Sequence, residues 1–232
     1  MARFLLIHGA SHGAWCWDRL RPALAAKGHQ ALAIDLPGHG ADPSPRKRVR
    51  MQDYVDRILE HLAPGTYLVG HSFAGFPITL AATQQAKPIR ALVYLCALLP
   101  RPGQAFTDFR DEAISPDVST AQTVDREAGV TLALPDKAGP VFYSECSSED
   151  QAWATAQLTP QPIGVMTESL SFVPPDIPRH YIRCLNDRVV YPAYQSRVSA
   201  DWDSAFDMKT GHSPFLSNPE DLADILDRIA ID

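Results

Sequence analysis

Residues 66–82 read TYLVGHSFAGFPITLAA, and Ser72 lies near their centre. Residues 66–69 are largely apolar and predict a buried strand, whereas residues 75–82 predict a buried helix. A serine on the tight turn between a strand and a helix is typical of a nucleophile elbow, in which the turn lifts the hydroxyl into a site. The commoner motif has glycine where this chain has Ala74, which is small enough for the same turn. The alternative is that Ser72 only caps the helix, so the other parts of a site have to be identified.

The composition favours a single domain without nucleic-acid or membrane partners. The chain has 232 residues, of which 45% are hydrophobic, and a net charge of −6 without a basic stripe, which argues against nucleic-acid binding. No apolar run approaches the roughly 20 residues of a membrane span, and residues 1–7 are too short for a signal peptide. The cysteines lack metal-like spacing, so we expect free thiols, no bound metal and a cytoplasmic location.

Short apolar runs alternate with helical patterns through most of the chain. The predicted strands comprise residues 3–8, 30–35, 66–69, 91–95, 180–185 and 205–209. The predicted helices comprise residues 15–27, 51–62, 75–86, 191–199 and a last segment that begins near Pro219. Strands that are apolar throughout and alternate with helices indicate a parallel sheet with helices on both faces. We therefore predict an α/β fold.

Residues 100–178 interrupt this alternation, since they contain half of the chain's 20 prolines and no clear strand. Short helices are predicted at residues 106–113, 135–142 and 148–158. A long disordered loop is the alternative, but disordered segments are poor in large apolar side chains such as those of Phe142 and Trp153. We expect an inserted cap over the carboxyl edge of the sheet, with residues 1–99 and 179–232 forming the core.

The base and the acid that an elbow serine needs are sought where strands end, because functional groups gather at the carboxyl edge of an open parallel sheet. His212 follows the last predicted strand and is the candidate base, although a loop histidine is more often a surface residue. The acid lies between serine and base in this chain order, and Asp187 directly follows the strand at 180–185. The alternatives are that Asp187 only shapes a turn and that Asp207 is the acid.

Two backbone amides are candidates for the oxyanion hole that stabilises a tetrahedral intermediate. One belongs to Phe73, directly after the serine, and the other to Ala10 in the first loop, which reads HGASHGAW. In the reaction that these groups predict, His212 takes the proton of Ser72 while Asp187 orients the imidazole. Ser72 then attacks an acyl carbon to form an acyl-enzyme, and water releases the acyl group.

These motifs resemble the α/β-hydrolase superfamily over nearly the whole chain, and most closely the group of methylesterases and hydroxynitrile lyases with its bacterial small-esterase relatives. The segments that carry the resemblance are residues 8–15 (HGASHGAW), 35–40 (DLPGHG), 70–75 (GHSFAG), 186–187 (ND) followed by Pro192, and 211–212 (GH). The resemblance implies a six-stranded, mostly parallel sheet with a helical cap, a small-molecule ester as substrate, and no metal or organic cofactor. The oligomeric state stays open, with a homodimer as one option.

Two positions separate the lyase branch of this group from the esterase branch. Hydroxynitrile lyases have a threonine where this chain has Gly9 and a lysine where it has Ser213. The lysine supplies positive charge for the departing cyanide, which a serine does not supply. We therefore predict ester hydrolysis, with hydroxynitrile lyase-type C–C cleavage and a small-ligand binding protein or receptor with residual hydrolysis as the alternatives.

The cap is expected to supply much of the wall of the substrate pocket. The candidate lining residues, each of which could instead be ordinary core, are Gly9, Leu99, Phe142, Leu158, Met166 and Phe172. This lining predicts that the acyl or alcohol part of a small carboxylic ester is apolar or aromatic.

Overall fold

The computed structural model describes residues 1–84, 88–202 and 204–231, so the predicted end of the elbow helix near residue 86 lies outside the described residues. The described residues form the strands β1 (Arg3–Ile7), β2 (Gln30–Ile34), β3 (Thr66–His71), β4 (Ile89–Leu95), β5 (Gln122–Asp125), β6 (Val130–Ala133), β7 (Gln161–Pro162), β8 (Arg179–Cys184) and β9 (Ala205–Met208). The helices are α1 (Leu20–Ala26), α2 (Met51–His61), α3 (Gly75–Gln84), α4 (Arg110–Ala113), α5 (Asp117–Thr120), α6 (Pro135–Phe142), α7 (Ser148–Gln157), α8 (Gly164–Thr167), α9 (Pro192–Val198), α10 (Pro214–Ser217) and α11 (Pro219–Ile231). Short 3-10 turns occur at Ala14–Trp17, Arg46–Arg48, Ser72–Ala74 and Phe106–Asp108.

The main sheet has six strands in the order β2-β1-β3-β4-β8-β9, and each neighbouring pair runs parallel. This confirms the predicted α/β architecture. The central strand β3 is buried along its whole length, whereas β2 at the edge of the sheet is buried only at its last residue. A strand that has neighbours on both sides and helices on both faces needs a continuous apolar sequence, which is the pattern seen in β3.

Helices cover both faces of this sheet because the chain changes direction after β2. The step from β1 to β2 moves one way across the sheet, and the steps from β2 to β3 and from β3 to β4 move the other way. Since such crossovers are right-handed, α1 lies on one face, while α2 and α3 lie on the opposite face. α1 packs against α11, and α2 packs against α3.

One predicted helix, at residues 15–27, is divided in the structure. Its first part is a 3-10 turn, Ala14–Trp17, and its second part is α1. Pro22 lies in the first turn of α1, where a missing N–H breaks no helical hydrogen bond. A continuous helix from residue 15 would place this proline in its interior, which is strongly unfavourable.

The segment predicted as the cap, residues 100–178, lies between β4 and β8 in the chain, and we keep the name cap for it. The cap contains α4 to α8, and it also contains a three-stranded antiparallel sheet, β5-β6-β7, that the sequence analysis did not predict. β5 and β6 form a hairpin whose turn is stabilised by a hydrogen bond of 2.9 Å from the Ala128 N–H to the Asp125 carboxylate. Four-residue strands with polar positions have too little periodicity to be recognised in the sequence.

None of the helices in the described part of the chain combines the length and the apolar character that a membrane crossing requires. The cysteines are unpaired: Cys16, Cys96 and Cys184 are buried, and Cys146 is partly exposed.

Candidate active site

Ser72 follows the last residue of β3 and has a φ of 54°, in the left-handed region that residues with a side chain rarely adopt. This strained conformation is the expected geometry of a nucleophile elbow. The space around the turn explains the unusual motif, because a Cβ atom on Gly75 would overlap the carbonyl oxygen of Leu98. Glycine is therefore required at position 75, whereas the neighbouring Ala74 is accommodated in the buried interior.

The candidate base and acid are in direct contact. The Nδ1 atom of His212 lies 2.8 Å from Oδ2 of Asp187, and both side chains are buried. Because a carboxylate accepts, Nδ1 of His212 is the donor in this contact, and Nε2 is the ring nitrogen that Asp187 leaves unengaged. Asp187 follows β8 and His212 follows β9, so the parallel sheet brings their loops to the same edge.

The Asp187 carboxylate accepts three further hydrogen bonds. Oδ1 accepts from the backbone N–H groups of Val189 at 2.7 Å and Val190 at 3.0 Å. Oδ2 also accepts from the side-chain amide of Gln195 at 3.0 Å. A buried carboxylate is costly unless its lone pairs are satisfied, so these donors hold the group in place for His212. The alternative acid, Asp207, forms a surface ion pair with Arg183 at 2.6 Å instead.

The first loop is held by two histidines whose rings are neutral. His8 donates from Nδ1 to the Gly9 carbonyl at 2.8 Å, and its Nε2 accepts from the Leu36 N–H. Burial lowers the pKa of His8 to about 4. Since C=O and N–H point in opposite directions across a trans peptide, fixing the Gly9 carbonyl also fixes the direction of the Ala10 N–H.

His12 is bound in the same way and connects the first loop to the cap. Its Nδ1 donates to the Ala10 carbonyl at 2.8 Å, and its Nε2 accepts from the Tyr143 hydroxyl at 2.9 Å. Burial lowers the pKa of His12 to about 3, with the neighbouring rings of His8 and His212 adding to the effect.

Two residues that the sequence analysis did not single out bind the loop of the candidate base. His71 donates from Nε2 to the backbone carbonyl of His212 at 2.9 Å, and burial lowers the pKa of His71 well below its usual value. Glu145 of the cap accepts from the Gly211 N–H at 3.0 Å and from the side-chain amide of Asn186 at 2.7 Å. Glu145 thus joins the loops of base and acid, a contact between distant parts of the chain that leaves no local signal in the sequence.

One cavity of about 480 Å³ is lined by all four of the candidate residues Ser72, His212, Ala10 and Phe73. No hydrogen bond joins the Ser72 hydroxyl to the imidazole within residues 1–84, 88–202 and 204–231. Such bonds are often long in unliganded enzymes and tighten when substrate binds. Gly9 lies directly behind the serine: a Cβ atom there would stand 2.8 Å from Nδ1 of His71 and 3.1 Å from Cβ of Ser72.

The predicted pocket residues divide into two sets. Phe142 and Met166 line the cavity, whereas Gly9, Leu99, Leu158 and Phe172 are not among its lining residues. Leu158, at the end of α7, instead lines a second cavity next to α6. The unpredicted cap sheet supplies wall residues in their place, including Gln122, Val124 and Thr131.

A metal ion fits poorly at the closest group of potential ligands in the described residues. His71, Cys96 and His212 place ligand atoms within 4.8 Å of one another. However, Nε2 of His71 already donates to the His212 carbonyl, and burial raises the pKa of the Cys96 thiol well above its usual value. The deprotonated thiolate that binds metals is therefore disfavoured here.

A sequence model of the Alpha/beta hydrolase family matches residues 4–225 of the chain. Norfluorocurarine synthase 2 from a Strychnos species is 30% identical, in an alignment that covers 96% of this chain and 93% of that protein. Methylesterase 18 from Arabidopsis thaliana is 28% identical, with 96% and 95% of the two chains covered. Among solved structures, a pyrethroid hydrolase from Sphingobium faniae JZ-2 superimposes with a TM-score of 0.85 at 26% identity, over 99% of this chain and 97% of that one.

Proposed function

Since this chain belongs to the alpha/beta hydrolase family and is a carboxylic ester hydrolase of the methylesterase group, we propose that it cleaves small esters through an acyl-enzyme on Ser72. The observation that carries this proposal is the buried His212–Asp187 pair, which shares the cavity with a serine on a strained turn. The cavity is mainly apolar, in keeping with a small ester that has an apolar or aromatic part.

The proposed reaction begins when Nε2 of His212 accepts the proton of Ser72 as Oγ attacks the ester carbonyl. The negative charge that forms on the carbonyl oxygen is stabilised by the N–H groups of Ala10 and Phe73, and one such donor lowers the barrier by roughly 3 kcal/mol. The alcohol leaves with the proton from His212. Water, deprotonated by the same nitrogen, then releases the acid from Ser72. Asp187 stabilises the imidazolium in both steps.

The contacts around position 213 favour hydrolysis over cyanohydrin cleavage. The Ser213 hydroxyl donates to the Phe142 carbonyl at 2.9 Å, so this position anchors the cap and carries no charge. At position 9, the short distances to His71 and Ser72 leave no room for a threonine side chain.

The test compares wild type with Ser72→Ala on p-nitrophenyl and aryl methyl esters, together with mandelonitrile. We expect ester hydrolysis to fall by on the order of 10⁴-fold or more in Ser72→Ala, because the nucleophile is absent. A fluorophosphonate probe should label Ser72 in the wild type, as read by peptide mass spectrometry. Ser169→Ala, which changes an exposed serine of the cap, serves as the matched control and should behave as wild type.

Ester turnover that survives in Ser72→Ala would contradict the nucleophile assignment. Cyanide release from mandelonitrile without ester hydrolysis would favour the lyase, and tight ester binding with negligible turnover would favour a receptor.

We also propose a cytoplasmic location, which the four free thiols support because oxidising compartments favour paired cysteines. Fractionation of the source cells tests that assignment.

A further inference from the structure

Two arginines line the same cavity as Ser72 and the apolar Phe73–Phe106 ring pair. They are Arg110, in the first turn of α4, and Arg126, in the turn between β5 and β6. No aspartate or glutamate is among the described residues that line this cavity. The chain as a whole has a net charge of −6, so the positive lining does not reflect its average composition.

The hairpin of the cap places Arg126 in the wall. Gln122 and Val124 lie at alternate positions of β5 and so share one face of the strand, and both line the cavity together with Arg126 of the following turn. Across the hairpin, Val124 pairs with Thr131, which also lines the cavity. The inward face of the hairpin is therefore polar and cationic, with one apolar side chain.

The two guanidinium groups have unused hydrogen-bonding capacity. Arg126 forms no ion pair or hydrogen bond with the part of the chain that the structure describes. Arg110 donates to the Ser119 hydroxyl at 2.6 Å, and its ion pair with Asp111 is long, at 3.4 Å, to a carboxylate that is 97% exposed. A guanidinium has five N–H donors, so most remain available, and an exposed ion pair of this kind contributes little.

Two nearby arginines outside the cavity form ion pairs with carboxylates of the chain. Arg188 pairs with Asp117 at 2.9 Å and Arg197 pairs with Glu112 at 3.1 Å. These two arginines therefore have carboxylate partners within the chain, whereas Arg126 has none among the described residues.

We infer that the substrate carries a carboxylate at the end remote from the scissile ester, with an apolar part between the two. This inference rests on the proposed function, since it takes Ser72 as the point of attack. Phe106, Phe142 and Met166 line the apolar part of the cavity, and Arg110 and Arg126 bind the carboxylate. Planar guanidinium groups match carboxylates in geometry as well as in charge.

The experiment uses pairs of esters that differ only in the remote charge. p-Nitrophenyl monoesters of the dicarboxylic acids from glutaric to suberic acid are compared with p-nitrophenyl esters of the monocarboxylic acids of equal carbon number. A second pair, 4-acetoxybenzoate and phenyl acetate, places the carboxylate in the alcohol part instead. Each pair is assayed with wild type, Arg110→Gln, Arg126→Gln, the double variant, Arg126→Lys, and Arg21→Gln as a control arginine outside the cavity.

We expect each single variant to lower kcat/KM for the charged ester of at least one pair about threefold, and the double variant about tenfold, as suits partly exposed charge-assisted bonds. The neutral partners should change less than about twofold. Arg126→Lys should retain most of the preference, and about 0.5 M salt should weaken it by screening. Taking the ratio of variant to wild type cancels the intrinsic reactivity of each ester.

Equal changes for charged and neutral esters in every pair, or no change in the double variant, would overturn the inference while leaving ester hydrolysis intact. Absence of hydrolysis in all pairs together with absence of probe labelling at Ser72 would instead overturn the proposed function. An effect confined to 4-acetoxybenzoate would support the inference and place the carboxylate on the leaving alcohol.

Discussion

The carboxyl edge of the main sheet and the β5–β6 hairpin of the cap face the same cavity, but they are built differently. The edge presents buried residues: the side chains of His212 and Asp187 are 3% and 0% exposed. Both carboxylate oxygens of Asp187 accept hydrogen bonds. On the hairpin, Val124 is 55% exposed and Arg126 has no partner within the described residues. Groups that must hold one geometry lie in packed surroundings, whereas groups that meet variable ligands lie in loosely packed ones.

Other parts of the cap, outside the hairpin, are connected to the edge of the sheet at several points. The cap residues Tyr143 and Glu145 bind the first loop and the loops of base and acid. Thr159 donates from its backbone to the Ser11 carbonyl at 2.8 Å. The cap therefore supports the edge of the sheet in addition to forming the wall of the cavity, and the following predictions measure how far the two roles can be separated.

The largest effect is expected when a methyl group is added behind the nucleophile. Gly9→Ala would bring Cβ within 2.8 Å of His71 and 3.1 Å of Ser72, so the His71 ring, the serine or the first loop has to move. A displacement of about 1 Å at such a position typically costs on the order of 10²-fold in rate. Steady-state kinetics with p-nitrophenyl acetate measures this loss in kcat/KM.

Gly139→Ala in α6 is the matched control in the cap. Gly139 is buried, and a Cβ atom there would meet the Gln151 side chain at 3.1 Å and Thr155 at 3.6 Å. We expect its activity to stay within about threefold of wild type, because Gly139 does not line the cavity that contains Ser72 and any loss falls on the packing of the cap. If the two variants lost activity equally, the edge of the sheet would be no more sensitive than the cap, and the comparison would fail.

A smaller effect is expected in the pH dependence of stability. His12 is neutral in the fold, with a pKa of about 3, but it binds a proton near pH 6.5 when the chain unfolds. Because the unfolded state then binds more protons, the free energy of unfolding decreases as the pH falls from about 6.5 toward 3. Each such histidine contributes a slope of up to about 1.4 kcal/mol per pH unit, and His8 acts in the same direction.

Urea unfolding between pH 5 and pH 8 measures this slope. His12→Gln should unfold with a shallower pH dependence below about pH 6.5, whereas the exposed His61 provides the control substitution, His61→Gln, which should keep the slope of the wild type. An unchanged slope in His12→Gln would mean that this ring is not the neutral link between loop and cap that its contacts indicate.

The smallest effect is expected at the exposed cap residue Glu145. Glu145→Gln keeps the shape of the side chain but replaces one acceptor oxygen by an NH₂ group, so either Gly211 or Asn186 loses its partner. A solvent-exposed contact of this kind is worth about 1 kcal/mol, which corresponds to roughly fivefold. We expect this loss in kcat with KM nearly unchanged, since Glu145 acts by positioning the catalytic loops and does not line the cavity.

Glu149→Gln on the exposed side of α7 is the control for that experiment and should match wild type. A rise in KM without a change in kcat would show that Glu145 affects substrate binding. The support of the sheet edge and the formation of the cavity wall could then not be separated at this residue.

The same contrast explains what could be predicted from the sequence. β3, β4 and β8 were predicted to within about two residues at most ends because buried parallel strands need continuous apolar runs. Asp187 and His212 were predicted as acid and base from chain order and strand ends, and the structure brings the two side chains into contact, while their catalytic roles stay predictions.

The hairpin was missed because Gln122–Asp125 is half exposed and lacks apolar alternation. Glu145 was missed because its partners Asn186 and Gly211 are distant in the chain, so no local pattern marks it. Gln195 lies only eight residues after Asp187, but a glutamine inside a helix carries no pattern that marks this contact. Leu158 was assigned to the wrong cavity because its direction depends on how α7 packs against α6.

The pairing of β4 with β8 spans the whole cap, and this has a kinetic consequence. Closing a loop of that length is entropically unfavourable and slow compared with forming the local units that precede it. The serine is synthesised before the insertion, and the candidate acid and base are synthesised after it. During synthesis on the ribosome, the elbow can therefore fold before the proposed site is complete, and we expect turnover to appear only once the two halves of the sheet have joined.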